Sequence, residues 1–190
     1  MAQTIYIVIS QTGTALSRIL KFITGAKYNH ASISLEPDLD IMYSFGRTNP
    51  YNPFHGGFVT ESPHNGTFKR FSGTKVEVLS VAVSEGQYTN LKQMLEGMAK
   101  NKKRYHYNYL GLFLAGAKIH YKQANSYYCS EFVKEMLVRN GIRGACDLAD
   151  IVEPMQFLTL PSANHVYSGK LKEFAKNMQQ KKLESTEKSN

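Results

Sequence analysis

A cysteine and a histidine are the residues of this chain best suited to covalent chemistry. Cys129 lies in Tyr127-Tyr128-Cys129-Ser130-Glu131-Phe132-Val133, where a polar and aromatic run passes into an amphipathic helix. With Asn125 or Ser126 as cap, the cysteine falls in the first helical turn. Free backbone N–H groups and the positive end of the dipole there favour a thiolate. The same N–H groups suit the oxyanion of a tetrahedral intermediate. His30 opens the alternating segment His30-Ala31-Ser32-Ile33-Ser34-Leu35. If the two meet, they form a cysteine hydrolase whose base precedes its nucleophile in the chain. The spacing equally fits a plainer role for Cys129, as a small core residue one turn before Phe132 and Val133. Cys146 has no base near it in sequence.

A catalytic imidazole needs a further group to fix its tautomer. Residues 30, 32 and 34 share one strand face, and Ala31, Ile33 and Leu35 the other. If Glu36-Pro37-Asp38 turns the chain, Leu35 pairs with Leu39 and His30 faces Ser44. Ser44 is then the first choice as orienter. Glu36 and Asp40 stand further along, and Glu61 sits in a loop that could bring it to many positions.

The elements around these residues are patterned unevenly. Thr4 to Ser10 is a β-branched run, Lys75 to Val83 another strand, and His30–Leu35 with Asp40–Phe45 a hairpin. Thr14 to Thr24 has helical spacing and stops at Gly25. Ser84-Glu85 caps a helix to about Lys103, Tyr109 to Ile119 forms a short apolar helix, and Gly141 ends the Cys129 helix. Gly46 to Asn65, rich in Gly, Pro and aromatics, reads as a long functional loop. Glu153 to Leu160 has no clear pattern. A polar helix or frayed segment begins near Lys170. One domain over residues 1–178 and a disordered basic tail over 179–190 are expected.

Composition sets outer bounds. The chain has 190 residues, 42% hydrophobic and 20% charged, which is the balance of a globular protein. It has no run of about 18 apolar residues and no signal-peptide pattern at the N-terminus, so a cytoplasmic protein is expected. A formal net charge of +8 accompanies no nucleic-acid motif. It is read as solubility, or weak attraction to an anionic lipid surface. No His pair has zinc-site spacing, and no cofactor site is expected.

The residues quoted above resemble those of circularly permuted papain-like hydrolases. The similarity is to the YiiX/YaeF-type amidases of the NlpC superfamily, with the lecithin:retinol acyltransferases as distant cousins. It rests on the strand Ile5–Ser10, the helix Leu16–Ile23, Tyr28-Asn29-His30-Ala31-Ser32-Ile33 and the Cys-Ser-Glu-Phe-Val helix start, about a hundred residues later. The resemblance implies an α+β, circularly permuted papain-like fold with a small antiparallel sheet packed against helices. It implies Cys129 as nucleophile, His30 as base, a third polar residue on the next strand at or near Ser44, and Tyr127 lining the oxyanion site. Its substrates would be small amides, esters or acylated molecules. Two other readings stay open. Cys129 could pair with the later His165, in ordinary papain order. Alternatively, the fold could be a catalytically weak binding module for a lipid or acyl group, walled by Tyr51–Phe58 and Tyr105–Tyr109.

Overall fold

Alternating and β-branched sequence makes the centre of a sheet. The computed structural model describes residues 2–12, 27–49 and 55–187. The helix expected over Thr14–Thr24, and Tyr51 to Phe54 of the aromatic loop, lie outside them. Strands β1 (Gln3–Gln11), β2 (His30–Ser34), β3 (Met42–Arg47), β4 (Gly56–Glu61), β5 (Lys75–Val83), β6 (His106–Tyr107), β7 (Ser126–Tyr127) and β8 (Ala163–Lys170) form one sheet. Their order is β7-β6-β4-β3-β2-β1-β5-β8. Every pairing is antiparallel except β6 with β7. With its helices this is a mixed α and β architecture, compatible with the α+β class.

The period-2 alternation of the strands decides which residues each face buries. Ile5, Ile7, Ile9, Ala31, Ile33, Phe45, Leu79 and Val81 make one face. Two helices cover it: α2 (Glu85–Lys100), through Leu91 and Leu95, and α4 (Cys129–Arg139), through Phe132, Val133 and Leu137. Each of these large side chains contributes about 1.5–3 kcal/mol by leaving water. Val8, Met42, Val76 and Val78 face the other way, against Phe68 of α1 (Gly66–Arg70) and Leu171 and Phe174 of α5 (Leu171–Glu187).

Local signals set the helix ends. The Ser84 hydroxyl accepts from Gln87 N–H at 3.2 Å, and Gln87 Oε1 accepts from Ser84 N–H at 2.9 Å, a reciprocal cap. α2 stops at Lys100 and gives way to a 3₁₀ turn over Lys102–Arg104. Asn108 caps α3 (Tyr109–Gly116) by accepting from Gly111 N–H at 2.8 Å. Gly141, at φ +61°, follows the Asn140 C-cap of α4 in the left-handed conformation that glycine tolerates.

Four expectations are corrected here. The sheet is not small: among the described residues it has eight strands, of which β4 lies within the expected loop and β8 in a segment with no strand pattern. Gly46–Asn65 is not all loop: Gly46 and Arg47 complete β3, and residues 56–61 are β4. Its glycines are packing positions. A Cβ on Gly56 would lie 2.6 Å from Tyr109 Oη and 2.8 Å from Tyr107 Cβ, and one on Gly57 2.8 Å from the Tyr105 carbonyl. β8 was hidden because it is an edge strand with mostly polar, exposed residues.

The hairpin register also differs by two residues. Ile33 pairs with Tyr43 and Ser34 with Met42. The connection is longer because Leu39 takes φ +59° and Ser34 Oγ donates to the Ile41 carbonyl at 2.8 Å. Finally, α5 runs to Glu187, into the segment expected as a disordered tail. Lys182 Nζ there reaches Asp38 Oδ2 at 3.2 Å.

Candidate active site

Helix α4 begins where two short strands deliver it. Asn108 N–H donates to the Tyr127 carbonyl at 3.0 Å and His106 N–H to the Asn125 carbonyl at 2.9 Å. These bonds hold the approach to the helix as β7. The cap is therefore Tyr128, with extended backbone, not Asn125 or Ser126. Glu131 Oε2 accepts from Tyr128 N–H at 3.3 Å. Cys129 is the first helical residue, so its own N–H is one of those without an intrahelical partner. The cysteine is buried, 5% exposed, and its Sγ lies 3.8 Å from the Asn29 carbonyl. Cys129 is thus a buried residue that also starts a helix, on the side of His30.

His30 is the first residue of β2, beside Ser10 of β1, whose carbonyl accepts from Asn29 N–H at 3.2 Å. Its Nε2 lies 2.8 Å from Glu61 Oε2 and 3.1 Å from Oε1. Ser32 Oγ donates to the same Oε2 at 2.8 Å. The Cys129 side chain is close enough to the imidazole to act on its charge, and Nδ1 is the ring nitrogen that Glu61 leaves unengaged. Burial pushes the His30 pKa down. The Glu61 charge, the neighbouring Cys129 side chain and the hydrogen bond to Glu61 outweigh it and raise the pKa well above the ordinary value. The ring is 6.3 Å from that of Phe68.

Glu61 is therefore the carboxylate that engages His30, and the Ser44 hydroxyl bonds elsewhere. Ser44 lies across from Val59 on β4 and donates from its buried hydroxyl to the Ala31 carbonyl at 2.6 Å. The residue that continues the register opposite His30 is Gly46. A Cβ there would meet His30 Cε1 and Glu61 Oε1, each at 3.6 Å. Both are ordinary van der Waals distances, so this position lies directly against the imidazole and the carboxylate. Glu36 and Asp40 stay at the hairpin turn, away from the histidine.

Tyr127 also has a different place from the one expected. Its ring packs in the aromatic core, 5.2 Å from Phe45 and 6.5 Å from Phe132. Burial raises the pKa of its hydroxyl, with the charges of Arg139 and Glu135 as lesser influences. The tyrosines electrostatically near the thiol are the cap residue Tyr128 and Tyr107 of β6. Burial first, and then the Cys129 charge, raise the Tyr107 pKa well above the ordinary value. The Tyr105-His106-Tyr107-Asn108-Tyr109 cluster was visible in sequence, but nothing in it singled out Tyr107.

His165 is engaged elsewhere. Its Nε2 lies 2.8 Å from Glu77 Oε2, while Tyr28 Oη and Ser168 Oγ donate to Oε1 at 2.6 and 3.1 Å. Burial pushes the Tyr28 hydroxyl, together with its bond to Glu77, up to about 12. The structure brings His30, not His165, to Cys129. Among the described residues no group of three His, Cys, Asp or Glu side chains is arranged to hold a metal. None of the helices among them is long and apolar enough to cross a membrane. An open cleft of about 930 Å³ borders Glu61, with Arg47, Phe58, Phe68, Lys103 and Tyr105 in its walls.

No protein-family profile matches this chain. No curated protein resembles it at significant similarity.

Proposed function

We propose that this protein is a thiol-dependent hydrolase or acyltransferase on a circularly permuted papain-like fold, cleaving an amide or ester bond. The observation that carries this reading is the Glu61–His30 hydrogen bond, with Cys129 at a helix N-terminus near enough to act on the same imidazole. A raised histidine pKa beside a thiol favours an imidazolium–thiolate pair, which is the reactive form.

In the first step the Cys129 sulfur attacks the substrate carbonyl carbon. An S–C bond forms, and the carbonyl π pair moves onto oxygen, where N–H groups at the start of α4 stabilise it. His30 then gives its proton to the leaving nitrogen or oxygen as the C–N or C–O bond breaks. A thioester and an amine or alcohol result. Water, or an acceptor alcohol or amine, next loses its proton to His30 and attacks the thioester, releasing the product and the thiolate. Glu61 fixes the ring tautomer and stabilises the imidazolium throughout.

The test is labelling with an acyl-mimicking electrophile, read by mass spectrometry at both cysteines. Cys129 should react faster than the exposed Cys146, and His30→Ala should abolish the excess. A Cys129 thiol that reacts no faster than Cys146 in the native protein defeats the proposal. A second reading, a module that holds an acyl group without turnover, draws on the aromatic walls of the cleft beside Glu61. Co-purified acyl ligand together with an unreactive Cys129 would favour it.

A further inference from the structure

Helix α3 is apolar and largely uncovered. In Tyr109-Leu110-Gly111-Leu112-Phe113-Leu114-Ala115-Gly116 the one buried residue is Gly111. Phe113 is 79% exposed and Leu110, one turn earlier, 52%. The chain then leaves the helix through a wholly exposed stretch, 116–125, in which Ile119 and Tyr121 also project. Large apolar side chains gathered on one surface mark an interaction site.

The surrounding charge says what kind. Residues 97–130 contain no Asp or Glu, but they hold Lys100, Lys102, Lys103, Arg104, Lys118 and Lys122. Lys118 and Lys122 flank the exposed Ile119 and Tyr121. Lys122 approaches Glu135 at 3.9 Å yet stays 63% exposed. A second copy of the chain would have to set this cationic rim against itself. A surface with apolar depth and anionic headgroups answers both features together.

We infer that α3 and the segment through Lys122 dock on an anionic lipid bilayer. Phe113 and Leu110 enter the headgroup–acyl boundary, and Lys118 and Lys122 sit over the headgroups. α3 follows directly on Tyr107 and Asn108, so docking brings the Cys129 corner to the lipid. The inference rests on exposure and charge alone and stands whether or not Cys129 is a nucleophile.

The chain has no tryptophan, so Phe113→Trp supplies a single tryptophan at the proposed contact, excited at the red edge where tyrosine does not absorb. Its emission should shift to the blue with phosphatidylcholine–phosphatidylserine vesicles and stay unchanged with phosphatidylcholine alone. In co-sedimentation, the native protein should partition onto the anionic vesicles in a salt-sensitive way. Phe113→Glu, or Lys118→Glu with Lys122→Glu, should lower that partition ~tenfold or more. Cys129→Ala should bind as the native protein does. Phe113 is mostly exposed, so an unchanged melting temperature of Phe113→Glu separates lost docking from lost folding. Three results overturn the inference. They are an unshifted tryptophan, equal binding by Phe113→Glu, or self-association that Phe113→Glu abolishes while vesicle binding is untouched.

Discussion

Glu61 Oε2 lies 2.8 Å from His30 Nε2, so a carboxylate on β4 orients a histidine on β2 across the intervening strand β3. Replacing it by glutamine keeps the shape and removes the charge. Glu61→Gln should lower the acylation rate ~100-fold or more, with a smaller change in substrate binding. Pre-steady-state release of a chromogenic leaving group measures the first, and substrate dependence the second.

The same pair makes stability depend on pH in a definite direction. The folded-state pKa of His30 is raised above its unfolded value. Its contribution is therefore fully present below the unfolded pKa and is lost as pH rises through the folded one. The difference in unfolding free energy between the native protein and Glu61→Gln should be larger near pH 6 than at pH 9. Urea titrations at a series of pH values test this, and a difference flat across that range would show the pair to be energetically silent.

Ser44 separates support of the sheet from support of the imidazole. Its hydroxyl serves the Ala31 carbonyl, so Ser44→Ala should destabilise the fold by about 1 kcal/mol. The labelling rate of Cys129 and its pH profile should stay as in the native protein. A loss of reactivity matching that of Glu61→Gln would return Ser44 to the catalytic group.

The two tyrosines make an equally direct contrast. Tyr107→Phe should slow acylation ~10-fold to 100-fold, as loss of a donor near the developing charge does. Tyr127→Phe should leave the rate within about twofold, because its ring packs in the core against Phe45 and Phe132. Equal effects from both would mean that neither hydroxyl acts at the thiol.

Gly56 tests how closely β4 and β6 must approach. An added Cβ meets Tyr109 Oη and Tyr107 Cβ inside van der Waals contact. Gly56→Ala should cost about 1–3 kcal/mol of stability. It should also slow Cys129 labelling, since β6 leads the chain to α3 and pairs with the strand before the cysteine. Thermal melts and labelling rates would be read together.

The elements most legible in sequence were those whose faces differ sharply in polarity. β5 over Lys75–Val83 and the Ser84 cap match the structure because alternation and capping chemistry are local properties. His30 and Cys129 stood out for the same local reasons. Glu61 was only one of several options, because Gly56 and Gly57 made its strand look like a loop. The reason for those glycines, close packing on Tyr107 and Tyr109, is tertiary. Ser44 was favoured through a hairpin register that Leu39 and Ser34 shift by two residues, a displacement set by turn geometry. β8 escaped notice because an exposed edge strand has no buried face to leave a hydrophobic period.

The pairing of β4 with β6, and of β6 with β7, has a consequence for how the molecule tolerates change. β4 holds the carboxylate at Glu61. Through Gly57 and His106 it also holds β6, which in turn pairs with β7, the two-residue strand that leads through Tyr128 into Cys129. One segment thus serves as a common gauge for the positions of Glu61 and Cys129. Insertions in the hairpin turn after Ser34 leave that gauge intact, whereas a single residue added between Gly57 and Glu61 would put carboxylate and sulfur out of step.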